Sequence, residues 1–109
     1  MLTFTQLTNS SSISGTSLQG YIECDYETLC RVFGKETSDG DGYKVDVEWE
    51  LEFSDGVVAT IYNWKNGKNY CDEDGLEIDE ITEWNVGGHS KQAFANVSKA
   101  LMGKMGSLA

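Results

Sequence analysis

Three observations in the sequence predict an α+β fold, a small antiparallel sheet with two helices packed on one face. The first is the strict alternation of YKVDVEWELEF. Tyr43, Val45, Val47, Trp49, Leu51 and Phe53 interleave there with Lys44, Asp46, Glu48, Glu50 and Glu52. That period describes a strand with one buried face and one wet, acidic face. The second is the hairpin signal Ser54-Asp55-Gly56, followed at once by another strand-like run, VVATIYNW. The third is a pair of segments with helical spacing, DYETLCRVFG and SKQAFANVSKALMG. About five strands result, in the order β-β-α-β-β-β-α.

From the N-terminus, Leu2 to Leu7 alternates and predicts a short strand, Asn9 to Ser17 is polar loop, and Leu18 to Cys24 is a second strand. Asp25 is a good N-cap for the first helix, Tyr26, Leu29, Cys30 and Phe33 share its buried face, and Gly34 ends it. Cys30 is thereby a core residue. Lys35 to Gly42 is loop. A three-residue loop at Ser54, Asp55 and Gly56 directs Val57, Ala59 and Ile61 to the core, and Val58, Thr60, Tyr62 and Trp64 to the other face. A two-residue loop would exchange the two sets, and the three-residue form is favoured. Lys65 to Lys68 is a second turn, NYCDEDG a loop, and Glu80 to Val86 the last strand. The closing helix starts after Ser90, with Ala93, Phe94, Val97, Ala100 and Leu101 inward, and stops at Gly103; 103–109 is a tail. The whole chain, 1–109, forms one domain.

Composition narrows the function classes. With 109 residues and 39% hydrophobic content, one core is expected. No apolar run is long enough to span a membrane, and MLTFTQLTNSSS lacks the basic start of a secretory signal, so a soluble intracellular protein is expected. Cys24, Cys30 and Cys71 show no C-x-x-C spacing, which argues against a disulfide framework. The net charge of −10 opposes bulk binding to nucleic acid or anionic lipid. The charge is uneven. Asp72 to Glu83 carries seven acids and no base, whereas 84–109 carries Lys91, Lys99 and Lys104 and no acid.

Two constellations are candidate ligand sites. In WNVGGHSK, Trp84 leads through Gly87 and Gly88 to His89, Ser90 and Lys91 at a helix start. Free N–H groups and the helix dipole attract anions there, and glycines permit close approach; equally, the run is a tight turn with Ser90 as N-cap. In YNWKNGKNY, Trp64 and Tyr70 flank Lys65 and Lys68, with Tyr62 nearby. Aromatic faces beside ammonium groups suit a nucleobase with its phosphates, although such residues also complete small cores.

Other chemistries find less support. Glu48, Glu50 and Glu52 follow one another along a strand at about 7 Å, a spacing open to acid/base pairs, but a solvated sheet face is the better reading. DEDGLEIDE fails the calcium-loop register, which requires acids at Tyr70 and Ile81. Cys24, Cys30, Cys71 and His89 match no zinc spacing, and no Ser or Cys motif pairs with the single histidine. The expectation is a protein that is not an enzyme and has no metal or cofactor.

Taken together, LQGYIECDYETLCRVFG, DGYKVDVEWELEFSDGVVATIYNWK and EWNVGGHS with its following helix resemble small accessory proteins of tailed bacteriophages, over roughly residues 18–102. The resemblance implies a phage-encoded protein acting in the host cytoplasm against host defence. It carries no binding residues over to this chain. One expected mode is a sponge that sequesters an anionic nucleotide-type signal uncleaved, as Thoeris and CBASS antagonists do. The alternative is an acidic inhibitor of anti-CRISPR or anti-restriction type, occupying the nucleic-acid surface of a host defence protein. A homo-oligomer is also expected, since small sponges often build pockets between subunits.

Overall fold

The computed structural model describes residues 3–7 and 13–108. Leu2 of the first expected strand and residues 9–12 of the expected polar loop lie outside these residues. The fold is α+β. Its five strands are β1 (Phe4–Gln6), β2 (Ser17–Glu23), β3 (Glu48–Phe53), β4 (Val58–Tyr62) and β5 (Glu83–Gly88). All neighbours are antiparallel, in the spatial order β1-β3-β4-β5-β2. The helices are α1 (Tyr26–Phe33), a single turn α2 (Lys68–Cys71), and α3 (Lys91–Leu108).

α1 and α3 supply the apolar partners for one sheet face. Leu29 and Phe33 from α1, and Ala93 and Val97 from α3, pack against Trp49, Leu51, Ile61, Trp84 and Val86. The local reasons agree with the sequence. Asp25 caps α1 by accepting from the Thr28 N–H at 2.8 Å, and Gly34 closes it at φ 88°, a conformation that costs other residues more. The Trp49 and Trp84 rings meet edge to face at 5.5 Å. Their indole N–H groups donate to the Gly34 and Cys24 carbonyls, both at 2.8 Å, so neither buried ring leaves a polar atom unpaired.

The hairpin has the three-residue loop. The Phe53 N–H donates to the Val57 carbonyl at 2.8 Å. Leu51 lies opposite Ala59 and Trp49 opposite Ile61, so Ala59 and Ile61 face the core. Asp55 at the tip accepts from the Asn96 side chain at 2.9 and 3.2 Å, which ties the turn to α3. These bonds hold the Asp55 carboxyl below the usual carboxylate range.

Five expectations require correction. The strand expected from Tyr43 begins only at Glu48, because the amides of 43–47 are satisfied elsewhere. Asp41 Oδ1 accepts from the N–H groups of Tyr43, Lys44 and Val45, each at 2.9 Å, and Asn63 Oδ1 accepts from those of Asp46 and Val47 at 2.7 and 3.2 Å. Tyr43 consequently faces solvent, 55% exposed. Secondly, the acidic face of β3 is not a wet one: Glu50 is 6% exposed, Glu48 is half-buried and only Glu52 is open. Thirdly, 78–80 form a 3-10 turn, which delays the last strand to Glu83. Its turn is closed by a capping box between Glu77 and Glu80. Finally, α3 continues through Gly103 to Leu108 rather than stopping there, and α2 adds a helical turn where loop was expected.

α3 lies close to the sheet through two glycines. A Cβ on Gly88 would stand 2.3 Å from the Ala93 Cβ, and one on Gly20 2.5 Å from the Phe94 ring. Gly88→Ala is therefore expected to destabilise the fold by about 1–3 kcal/mol through overpacking, read as a lower urea midpoint with an unchanged slope.

Candidate functional site

With both long helices on one face, the other face of the sheet is free of them; it is closed over Glu50 and Thr60 and open toward Tyr21 and Trp64. It carries Tyr21 of β2, Thr60 and Tyr62 of β4, and Asn85 and Gly87 of β5, at alternate positions from the core residues. Two cavities lie along it. One, of about 640 Å³, is walled by Leu18, Tyr21, Tyr62 and Trp64, with the Asn66 and Asn85 amides and the Glu23 and Glu83 carboxylates on its lining. That volume falls within the roughly 300–1,000 Å³ usual for small-ligand sites. The second, of about 270 Å³, shares Tyr62 and Trp64 and adds Asp41, Glu48, Thr60 and Gly87. Trp64 is the common wall. Its ring meets that of Tyr62 edge to face at 6.2 Å, and 45% of the residue is exposed.

Two ammonium groups attend the same indole. Lys44 Nζ stands 5.4 Å and Lys65 Nζ 5.7 Å from its centroid. Lys44 also lies 5.6 Å from the Tyr43 ring, and Lys65 5.5 Å from that of Tyr70. The Tyr43 and Tyr70 rings are themselves 5.2 Å apart. Three exposed aromatics and two lysines thus form one cluster at the rim of the groove.

The backbone explains how the sequence assembles it. Asn63 is fully buried at the end of β4. Beyond the two amides it accepts, its Nδ2 donates to Asp46 Oδ1 at 2.9 Å and to Asn66 Oδ1 at 3.0 Å. Asp46 Oδ2 in turn accepts from the Asn69 N–H at 3.2 Å. Gly67 must be glycine, because a Cβ there would stand 2.1 Å from Asp46 Oδ1. Lys65 turns the chain at φ 59°, and its N–H donates to the Lys44 carbonyl at 2.8 Å, which sets the two lysines side by side.

Electrostatically the groove is mixed. Lys44 and Lys65 stand at Trp64, and carboxylates stand on both sides of Tyr62. Burial, with the neighbouring Glu50 and Asp41 charges, pushes the Glu48 carboxyl up to about 7. Asp41, which accepts three backbone N–H bonds, is held below the usual range.

The expected site residues divide into three groups. Trp64, Lys65 and Tyr70 are exposed or half-exposed and lie together in the cluster. Lys68 is on the same segment but is drawn toward the acidic run, pairing with Glu77 at 3.7 Å and donating to the Glu73 carbonyl at 3.2 Å. From the constellation 84–91 only Gly87 reaches the groove, where a Cβ would meet Thr60 Oγ1 at 2.5 Å. Trp84 has no exposed surface, so it is a core residue and no ligand wall. Gly88 faces Ala93, so its smallness serves helix packing.

His89, Ser90 and Lys91 are exposed at the α3 start. Antiparallel pairing sets Gly88 opposite Ala59 and Asn85 opposite Tyr62, so the helix start lies at the far end of β4 from Trp64. Ser90 already serves that start: its Oγ accepts from the Gln92 N–H at 3.3 Å and its carbonyl from the Ala93 N–H at 3.1 Å. Ser90 thus caps the helix start, as in the tight-turn alternative to an anion socket at 87–91.

Tyr21, Tyr43, Lys44, Glu48 and Asn85 join the site unforeseen. Asp41-Gly42 ahead of Tyr43 was the available signal, since Asp favours local capping of the amides that follow it. Comparison with protein-family models and with curated proteins yields no match.

Two outcomes are expected. Asn63→Ala would leave two buried amides and two side chains without their partner and cost about 3 kcal/mol, read as a lower urea midpoint. Glu48 has its folded pKa raised above the ordinary 4.5 to about 7, so the native state holds the extra proton between those values. Its contribution is present below about pH 4.5 and is lost as pH rises through about 7. Glu48→Gln should accordingly melt higher than the parent at pH 8 and equally at pH 4.

Proposed function

We propose that this protein binds a small anionic nucleotide-type ligand in the groove on its open sheet face, without converting it. The observation that carries the reading is Trp64, a half-exposed indole that walls both cavities and has Lys44 and Lys65 within 6 Å of its centroid. A base stacks on the Tyr62–Trp64 wall, and its phosphate displaces the ammonium groups from the ring face onto itself. Asn66 and Asn85 supply amides that accept and donate at the base edge. The net charge of −10 opposes approach, but screening confines that repulsion to about 8 Å at physiological salt. Sequestration of a host-defence signal by a phage accessory protein is the biological role consistent with such binding.

A specific observation favours a second reading. Asp72, Glu73, Asp74, Glu77, Asp79, Glu80 and Glu83 are all exposed, in consecutive turns with few cations nearby. Such a ridge suits an inhibitor that occupies a basic, nucleic-acid-binding surface.

Thermal shift with mononucleotides, cyclic di- and trinucleotides and cyclic ADP-ribose isomers separates the two. A ligand that binds only the native state at 100 times its Kd stabilises by about 2.7 kcal/mol, a midpoint rise of several degrees, and Trp64→Ala should abolish the rise. A flat response across the panel overturns the nucleotide reading. Loss of effector inhibition in Asp72→Asn/Glu73→Gln/Asp74→Asn would then support the acidic ridge.

A further inference from the structure

The smaller cavity holds a group that a purely stacking site has no use for. Glu48 lies directly across the β3–β4 ladder from Tyr62, on the same sheet face. Its carboxylate lines the cavity that Tyr62 and Trp64 wall. No described residue pairs with that carboxylate in a hydrogen bond or an ion pair. Around it stand Glu50 on the same strand, Asp41 in the preceding loop and Tyr62 on β4, while the uncharged Thr16 and the first β2 residue, Ser17, complete the lining on that side. Lys44 and Lys65 stand at Trp64, so a ligand with its phosphate there and its base on the smaller cavity's side of the Tyr62–Trp64 wall, away from Asn66 and Asn85, presents one base edge to Glu48.

Resting on the nucleotide reading above, we propose that Glu48 is the base-reading residue of the groove and selects a base edge with two adjacent N–H donors, as in guanine. An ionised carboxylate is acceptor-only, with two oxygens matched to two parallel donors. Guanine offers N1–H and the N2 amino group. Hypoxanthine keeps only the first. Adenine turns its N1 lone pair toward the carboxylate and is repelled. The ionised form is the one that reads guanine, and Glu48 is half ionised near neutral pH. Guanine binding should therefore weaken as pH falls.

The test is equilibrium titration of intrinsic tryptophan emission with the 3′,5′-cyclic monophosphates of guanosine, inosine and adenosine, whose diester charge is constant across the pH range used. The expected order of affinity is guanosine, inosine, adenosine. Glu48→Gln should weaken the guanosine ligand about tenfold, the scale of one good bidentate base contact, and bring the adenosine ligand level with it. The parent's affinity for the guanosine ligand should fall about tenfold between about pH 8 and pH 6, following the ionised fraction, and that of Glu48→Gln should not change. If all three ligands bind equally well, or Glu48→Gln keeps the parent's order and pH profile, the inference is overturned and the nucleotide reading survives. If none binds the parent at any pH, the inference is overturned, and the nucleotide reading then stands or falls on the wider thermal-shift panel.

Discussion

Asn63 has no exposed surface, and its single amide group makes four hydrogen bonds. Two of them take the backbone amides of Asp46 and Val47 off the ladder that the hydrophobic pattern would have continued. The other two reach Asp46 and Asn66, and Asp46 passes the constraint on to Asn69. A side-chain amide is well suited to this role, because it offers acceptor and donor in one plane and carries no charge to desolvate. Once it is in place, the segment before β3 and the segment after β4 are clamped together, with Lys44 and Lys65 bonded backbone to backbone. Trp64 follows Asn63 directly in the chain, so the indole at the centre of the groove is presented by a residue that cannot move independently of the core.

The same clamp decides the electrostatics. Residues 41–47 fold over the end of the sheet instead of extending away from it, and they bring Asp41 toward the β3 face. Glu48 is then half-buried between carboxylates, and its proton affinity rises accordingly. In a chain with few bases, a groove bearing two ammonium groups at one wall and carboxylates at the other is a polarised site. It suits a ligand with an anionic end and a donor-bearing end better than a uniformly charged one. On the helix-covered face the Asp25 carboxylate caps α1 and the two indole N–H groups donate to backbone carbonyls.

The two glycines before α3 show how one residue type serves two purposes. Gly87 and Gly88 are adjacent in a strand, so they point to opposite faces. Gly88 lets α3 approach the sheet, and Gly87 leaves room beside Thr60 and the aromatic wall. Their pairing in sequence suggests a phosphate loop, but a strand divides them between core and groove, and Ser90 caps the helix that follows.

The sequence by itself determined the fold class, the order of strands and long helices, the α1 cap at Asp25 and the three-residue hairpin. Each rests on local chemistry: a period, a capping side chain, or a turn geometry that a few neighbouring residues specify. It also marked Trp64, Lys65 and Tyr70, because aromatic and basic residues crowd one turn. Only the tertiary structure decided that Tyr43, Lys44 and Glu48 belong with them and that Trp84 does not. The alternation of 43–47 is real, yet Asp41 and Asn63 outcompete the strand for its amides, and the latter lies sixteen residues beyond Val47 in the chain. Trp84 reads as a candidate ligand wall beside Gly87 and Gly88 until the second indole, Trp49, is brought against it from another strand. Hydrogen bonds and ring contacts between distant segments leave no periodic trace in a sequence, and they are what separates core from groove here.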